Sequence, residues 1–277
     1  MPQYIELKTS DNMNLKAMYV PATKPKAFLV WIPGFAEHKD RYTHFGGWIA
    51  EKRISFAAVD LRGHGESDGK RGFIKKFEDY FQDVDALLKW SREVSTDVPF
   101  FFGSHSMGGL VASRYLERGQ LSRPIDAAVM TSPFLGLGVP VPAWKRGLAN
   151  TISGIIPSAA VPAGLDPALL SHDQAIVDAY VKDPLVFNNA TARWFTEVVK
   201  QQAHVVSDAK NVKLPIFVGQ GGGDQIVDVQ ATRDFFQALG SADKKYEEYE
   251  GYYHEVLNEV KKERVYSDIA EFIEKHI

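Results

Sequence analysis

Strand-like apolar runs alternate with helical patterns along most of this chain. Five short runs rich in β-branched and aromatic residues have Pro, Gly or Asp close by: residues 28–31, 54–59, 100–102, 127–130 and 214–218. Amphipathic patterns lie between them, and the clearest covers residues 77–90. Because a strand that follows a helical crossover returns to the sheet in the same direction, the alternation predicts an α/β fold with a mostly parallel central sheet flanked by helices.

The two ends of the chain extend this sheet. Residues 4–7 and 15–19 flank a polar turn, which predicts an antiparallel hairpin at the sheet edge. Residues 245–249 form a further strand-like run, and residues 255–276 form an amphipathic helical pattern that would pack on the sheet.

A segment between the last two strands of the core breaks the alternation. Helical pieces punctuated by Pro and Gly occupy residues 135–195, including residues 144–156 and 174–181. We therefore predict an inserted helical cap at 135–195, with the core formed by residues 1–134 and 196–277.

The composition excludes several classes of function. The 277 residues are 45% hydrophobic and 24% charged, as in folded globular proteins. The formal charge of −3, without a basic stripe, argues against a nucleic-acid partner. With no cysteine there can be no disulfide, thiolate metal site or cysteine nucleophile. The polar start lacks the pattern of a signal peptide and no run reaches transmembrane length, so we expect a cytoplasmic location, either free or peripheral to a membrane.

Ser106 is the candidate nucleophile. It follows the strand-like run at 100–102 within the letters GSHSMGG, and a helical pattern comes next. A Ser at such a tight strand-to-helix turn exposes its hydroxyl above the sheet, provided that small neighbours let the two backbones approach. Gly108 supplies one small neighbour, and Ser104 stands where the pattern usually has Gly. The structural alternative is a Gly-rich turn without catalytic role.

A serine hydroxyl needs a base that removes its proton. In this type of fold the nucleophile comes first along the chain, the acid second and the histidine base third. Asp224 lies in a loop after the run at 214–218, and His254 lies in a loop between a strand-like run and the last helix. We predict that His254 is the general base and that Asp224 orients it. Asp228 is a weaker candidate that looks like a helix cap.

Attack on an ester creates an oxyanion that needs two fixed donors. The backbone amide of Met107, directly after the nucleophile, is one candidate. Phe35 follows the turn at Pro33-Gly34 after the first buried strand and offers the second amide. A plain Pro-Gly turn is the alternative at this position.

These residues together resemble the monoacylglycerol lipase and lysophospholipase branch of the α/β-hydrolases, which is grouped with serine aminopeptidases. The likeness covers nearly the whole chain and includes the run from Gly34 to His38 with Arg41-Tyr42, the run from Asp60 to Gly69 with Arg71-Gly72, the nucleophile turn, Asp224, His254-Glu255 and Asp183-Pro184-Leu185. Pro33 and Ser104 depart from the usual His and Gly. The resemblance implies an α/β-hydrolase fold and a serine carboxylic-ester hydrolase that cleaves a single-acyl lipid through an acyl-enzyme.

Several alternatives stay open at this point. A small-ester esterase fits the same motifs, and a serine aminopeptidase would need acidic cap residues such as Asp166, Asp173 or Asp178 to hold a substrate amine. A non-catalytic binding protein with this fold is the alternative from outside the enzymes. We expect no cofactor and no metal, an ester or lipid as the small-molecule partner, and transient contact of the cap with a membrane surface. The oligomeric state is not determined by the sequence. The apolar residues of the cap could line an acyl tunnel and touch a lipid surface, or most of them could form an ordinary core of the cap; they are Val139, Val141, Trp144, Leu148, Ile152, Ile155, Ile156, Val161 and Leu165.

Overall fold

An eight-stranded sheet forms the centre of the molecule. The computed structural model describes residues 1–95, 97–119, 121, 124–138 and 142–277. The strands are β1 (Gln3–Lys8), β2 (Asn14–Val20), β3 (Ala27–Ile32), β4 (Ile54–Val59), β5 (Phe100–His105), β6 (Ala127–Thr131), β9 (Ile216–Gly221) and β10 (Lys244–Tyr249), with β7 (Ala160–Pro162) and β8 (Asn189–Thr191) forming a separate pair. Their order in the sheet is β1-β2-β4-β3-β5-β6-β9-β10. Within this sheet, as far as the described residues show, the pairings of β1 with β2 and of β2 with β4 are antiparallel and the others are parallel. The predicted mostly parallel sheet with an edge hairpin is confirmed.

Helices cover both faces of this sheet. They are α1 (Thr43–Glu51), α2 (Asp79–Val94), α3 (Met107–Glu117), α4 (Ala143–Ile155), α5 (Gln174–Lys182), α6 (Ala192–Asp208), α7 (Val229–Ala238) and α8 (Lys262–Lys275). A hydrophobic core lies on each face of the sheet. Successive side chains of β3 contribute to the two cores in turn, because side chains along a strand alternate between the faces. Phe28 and Val30 join the core beneath α2 and α3, whereas Leu29 and Trp31 join the core beneath α1 and α8.

The last helix starts later than the sequence predicts. The predicted helix at 255–276 is wrong over its first residues, since α8 begins at Lys262 and a short 3-10 turn occupies Val256–Asn258. The backbone N–H of Glu255 donates to the carbonyl oxygen of Leu170 at 2.8 Å instead of entering a helix. This segment is therefore a tethered loop, and it carries His254.

The segment at 135–195 contains α4, α5 and the small antiparallel pair of β7 and β8. Helix α6 continues across residue 195, because its buried side chains Trp194 and Val198 pack into the core beneath α2 and α3. The division into core and cap stays a prediction. Of the apolar residues assigned to the cap, Val139 and Val141 lie outside the described residues.

Candidate active site

Ser106 sits on a strained turn between β5 and α3. Its backbone φ is 51° and ψ is −119°, a left-handed conformation that side chains rarely adopt. A Cβ built on Gly108 would overlap the carbonyl oxygen of Ile32, the last residue of β3, and would lie 2.5 Å from that of Pro33. Only glycine therefore lets α3 approach β3 this closely. Ser104 fits in place of the usual glycine, since it is fully buried and its hydroxyl donates to the carbonyl oxygen of Val129 at 3.4 Å.

The structure brings Ser106, His254 and Asp224 together. His254 Nε2 lies 2.9 Å from Ser106 Oγ, and His254 Nδ1 lies 2.7 Å from Asp224 Oδ2. All three residues are buried. The arrangement can carry the hydroxyl proton of Ser106 to the imidazole while Asp224 fixes the tautomer of the ring.

Asp224 is itself held in place by several donors. Its Oδ1 accepts from the backbone N–H groups of Ile226 at 2.8 Å and Val227 at 3.1 Å, and Gln220 Nε2 donates to Oδ2 at 3.1 Å. Asp228, the weaker candidate, instead caps α7, where its Oδ1 accepts from the N–H groups of Gln230 and Ala231. The carboxylate that faces the imidazole is therefore Asp224.

The electrostatics favour a protonatable imidazole beside an ionised carboxylate. Burial alone would lower the pKa of His254, but the charge and hydrogen bond of Asp224 outweigh burial and raise it above its ordinary value. Burial likewise opposes the ionisation of Asp224, yet His254 and the backbone donors lower its pKa. The neighbouring His105 stays neutral, because burial and then the charge of His254 lower its pKa to about 3.

The raised pKa of His254 predicts the pH dependence of the reaction. Only the neutral imidazole accepts a proton, so kcat/KM is expected to fall as pH decreases through a pKa above about 6.5, the ordinary value for histidine. The measurement is kcat/KM for a soluble ester from about pH 5 to about pH 9, with unfolding followed over the same range as a control. An acidic limb clearly below about 6.5 in folded protein would contradict this assignment.

The loop after β3 lies directly against Ser106. A Cβ built on Gly34 would lie 3.1 Å from the Cβ of Ser106, and the Gly34 N–H donates to Glu37 Oε1. The Phe35 ring packs against Trp194 at a tilt of 35°, with ring centroids 4.0 Å apart, so the loop also contacts the start of α6. The amides of Phe35 and Met107 remain the predicted oxyanion donors.

A buried ion network joins this loop to the segment that carries His254. Glu37 accepts from Tyr42 Oη at 2.6 Å and from Arg41 Nη1 at 2.9 Å. Arg41 also makes a two-pronged contact with Glu255, at 2.6 Å and 2.8 Å. Burial raises the pKa of Glu37, whereas the charge and hydrogen bonds of Arg41 overcome burial and lower the pKa of Glu255 to about 2.

Sequence reasoning assigned no role to this network. Glu37, Arg41 and Tyr42 belong to a motif of the resemblance, which was the available signal, but nothing local pairs Arg41 with Glu255. A second motif residue, Asp183, contacts the same loop, since its Oδ2 lies 2.8 Å from His38 Nε2. The two contacts tie the loop after β3 to two other segments of the chain, around Glu255 and Asp183.

Asp60 and His64 lie in the loop that follows β4, and both are buried. Asp60 accepts from the N–H groups of Lys39 at 2.7 Å and Glu66 at 2.9 Å, which folds the loop after β4. His64 is buried there, and burial lowers its pKa to about 4.

In the part of the chain that the structure describes, no helix is both long and apolar enough to cross a membrane.

A buried serine, histidine and aspartate at the carboxyl edge of a mostly parallel sheet, with the serine on a strained strand-to-helix turn, define the chain as a serine hydrolase of the α/β-hydrolase superfamily. The chain belongs to the family described as serine aminopeptidase, S33, whose model matches residues 23–261.

Relatives and solved structures agree with this membership. Phospholipase YtpA of Bacillus subtilis is 31% identical over 261 residues, which cover 92% of this chain and 98% of that protein. An uncharacterised abhydrolase domain-containing protein of Dictyostelium discoideum is 32% identical over 98% of this chain, which spans 29% of that longer relative. The crystal structure of Paleococcus ferrophilus monoacylglycerol lipase is 28% identical, superposes with a TM-score of 0.85, and is matched over 95% of this chain and 99% of that one.

Proposed function

We propose that the protein is a carboxylic-ester hydrolase that cleaves the acyl ester of a single-acyl lipid, a monoacylglycerol or a lysophospholipid. Ser106 is the nucleophile, His254 the general base and Asp224 its orienting carboxylate. The observation that carries the proposal is the position of the His254 ring, which lies within hydrogen-bond distance of both Ser106 Oγ and Asp224 Oδ2.

The proposed reaction proceeds through an acyl-enzyme. His254 takes the proton of Ser106 as Oγ attacks the ester carbonyl, and the amides of Phe35 and Met107 stabilise the resulting oxyanion. His254 then gives that proton to the leaving alcohol as the ester bond breaks. In the second half, His254 removes a proton from water as the water oxygen attacks the acyl-enzyme. His254 then returns this proton to Ser106 Oγ as the bond between Oγ and the acyl group breaks, which releases the fatty acid.

Support for a lipid substrate comes from the relatives and from the cap. One relative is a phospholipase, and a structural neighbour is a monoacylglycerol lipase. The predicted cap exposes large apolar side chains, including Trp144 at 67% and Ile155 at 75%. Exposed apolar side chains of this size suit contact with a lipid surface, so we propose that the cap makes transient contact with one.

The acidic cap residues that an aminopeptidase could use make local contacts in the structure. An aminopeptidase would use free carboxylates to hold a substrate amine. Asp166 instead accepts from the N–H of Ala168 at 3.0 Å, Asp173 caps α5 through Ala175 at 3.0 Å, and Asp178 accepts from the side chain of Gln174 at 2.7 Å. Each contact uses only Oδ1 of its carboxylate, so the preference for an ester substrate rests on the relatives rather than on these residues.

The proposal is tested by comparing kcat/KM on a monoacylglycerol, a lysophospholipid, a short nitrophenyl ester and an amino-acid amide. We expect the single-acyl lipids to be cleaved with kcat/KM at least about 10-fold above that of the short ester, because a buried acyl chain contributes about 0.8 kcal/mol for each CH₂. The diacyl form of each lipid is the control for recognition of a single chain. A higher kcat/KM for the short ester would overturn the lipid assignment. A higher kcat/KM for the amide would show that the protein is a peptidase.

A further inference from the structure

The loop that carries His254 is tethered to a segment of the predicted cap. The N–H of His254 donates to the carbonyl oxygen of Leu169 at 3.4 Å, and the N–H of Glu255 donates to that of Leu170 at 2.8 Å. Ser171 Oγ donates to the carbonyl oxygen of Asn258 at 2.9 Å. Residues 169–172 therefore form one side of the support for the proposed general base.

Glu259 is the side chain on which this support converges. It is only 3% exposed, and its Oε1 accepts from the N–H of Tyr253 at 2.8 Å and lies 2.8 Å from His172 Nδ1. Its Oε2 accepts from the N–H of Val260 at 3.1 Å and from the N–H of His172 at 3.4 Å. The rings of His172 and Tyr253 also stack, with centroids 3.7 Å apart.

We infer that Glu259, together with His172, is a positioning residue that holds the His254 ring within hydrogen-bond distance of Ser106. The contact acts through Tyr253, the residue directly before His254. This inference rests on the proposed role of His254 as general base. Glu259 is a buried carboxylate outside the three reacting side chains, and its role would be to fix the position of the imidazole.

The chemistry of the site calls for a carboxylate. Donors approach both oxygens of Glu259, and both oxygens of a carboxylate accept hydrogen bonds. A glutamine has the same shape but only one accepting oxygen, so its NH₂ group would face backbone N–H groups. The loop that carries His254 would have to move to separate these N–H donors from the NH₂ group. A displacement of about 1 Å at a reacting group costs about 100-fold in rate.

The test compares Glu259→Gln with Glu117→Gln. Glu117 is also buried and bonds to Arg114, but it lies at the far end of α3 from Ser106, so it controls for the loss of a buried carboxylate. Both substitutions are made in the wild-type chain and in His254→Ala. Turnover is measured with an activated short nitrophenyl ester, so that the result does not depend on the lipid assignment, and the Tm of each variant is recorded.

We expect Glu259→Gln to lower kcat about 30- to 100-fold with KM changed less than about 3-fold, and Glu117→Gln to leave kcat within about 2-fold. In His254→Ala, Glu259→Gln should change the residual rate less than about 2-fold, because the residue through which it acts is gone. An equal loss in both backgrounds, or no loss of kcat beyond that of Glu117→Gln, overturns the inference.

A second variant covers the case in which Glu259→Gln does not fold. His172→Phe keeps the ring stacked on Tyr253 and removes only the side-chain hydrogen bond to Glu259, at a half-exposed position. We expect a fall in kcat of about 5-fold without a change in KM, and unchanged kcat overturns the inference. These outcomes differ from a failure of the proposed function, in which the wild-type protein would cleave no ester.

Discussion

Ser106→Ala is expected to lower kcat by about 10⁶-fold on whichever ester the protein cleaves, because no other group replaces the attacking oxygen. The buried turn tolerates the smaller side chain, so the Tm should change by no more than a few degrees. The measurement is steady-state release of the fatty acid or nitrophenol, together with thermal unfolding of both proteins.

Ser104→Ala is the matched control for this substitution. Ser104 lies in the same motif, two residues earlier, but its hydroxyl donates to the carbonyl oxygen of Val129 and, within the described residues, to no other group. We expect its kcat to stay within about 3-fold of the wild type. Residual activity of more than a few per cent in folded Ser106→Ala would show that another group attacks the ester.

Asp224→Asn is expected to lower kcat by about 10⁴-fold while the protein remains folded. An asparagine at this position can present its NH₂ group to His254 Nδ1, which would stabilise the wrong tautomer of the ring. The carboxylate that raises the pKa of His254 would also be lost, so the acidic limb of kcat/KM should move to lower pH. Both effects are measured on the same ester across the pH range.

Asp228→Asn separates this role from a general effect of removing a loop carboxylate. Asp228 is the N-cap of α7, and asparagine caps helices about as well as aspartate. We expect kcat to stay within about 3-fold and the acidic limb to stay in place. If Asp228→Asn were the more damaging of the two changes, the assignment of the orienting carboxylate would be wrong.

Local patterns were sufficient for most of the sheet. The runs at 28–31 and 54–59 are apolar and β-branched because a parallel strand is covered on both faces, and both form strands within one residue of the predicted ends. The pair of β7 and β8 was not predicted, since each strand has three residues and β7 is exposed, which leaves no periodic pattern to detect. The late start of α8 was missed because Glu255 bonds to Leu170 rather than to a residue of its own helix.

The sequence by itself determined the identity of the proposed catalytic residues. Ser106 is marked by its small neighbours, and Asp224 and His254 by their order and their places in loops after strands. These are local signals, because the fold brings the carboxyl ends of its parallel strands to one edge whatever the intervening sequence.

Only the tertiary structure decided how these residues are held. The contact of Arg41 with Glu255 joins positions 214 residues apart, and that of His172 with Glu259 joins positions 87 apart. Neither pair has a spacing that a helix or strand imposes, so no periodicity in the chain indicates them. Their positions follow from the packing of separate loops around a shared buried charge, which exists only once the chain has folded.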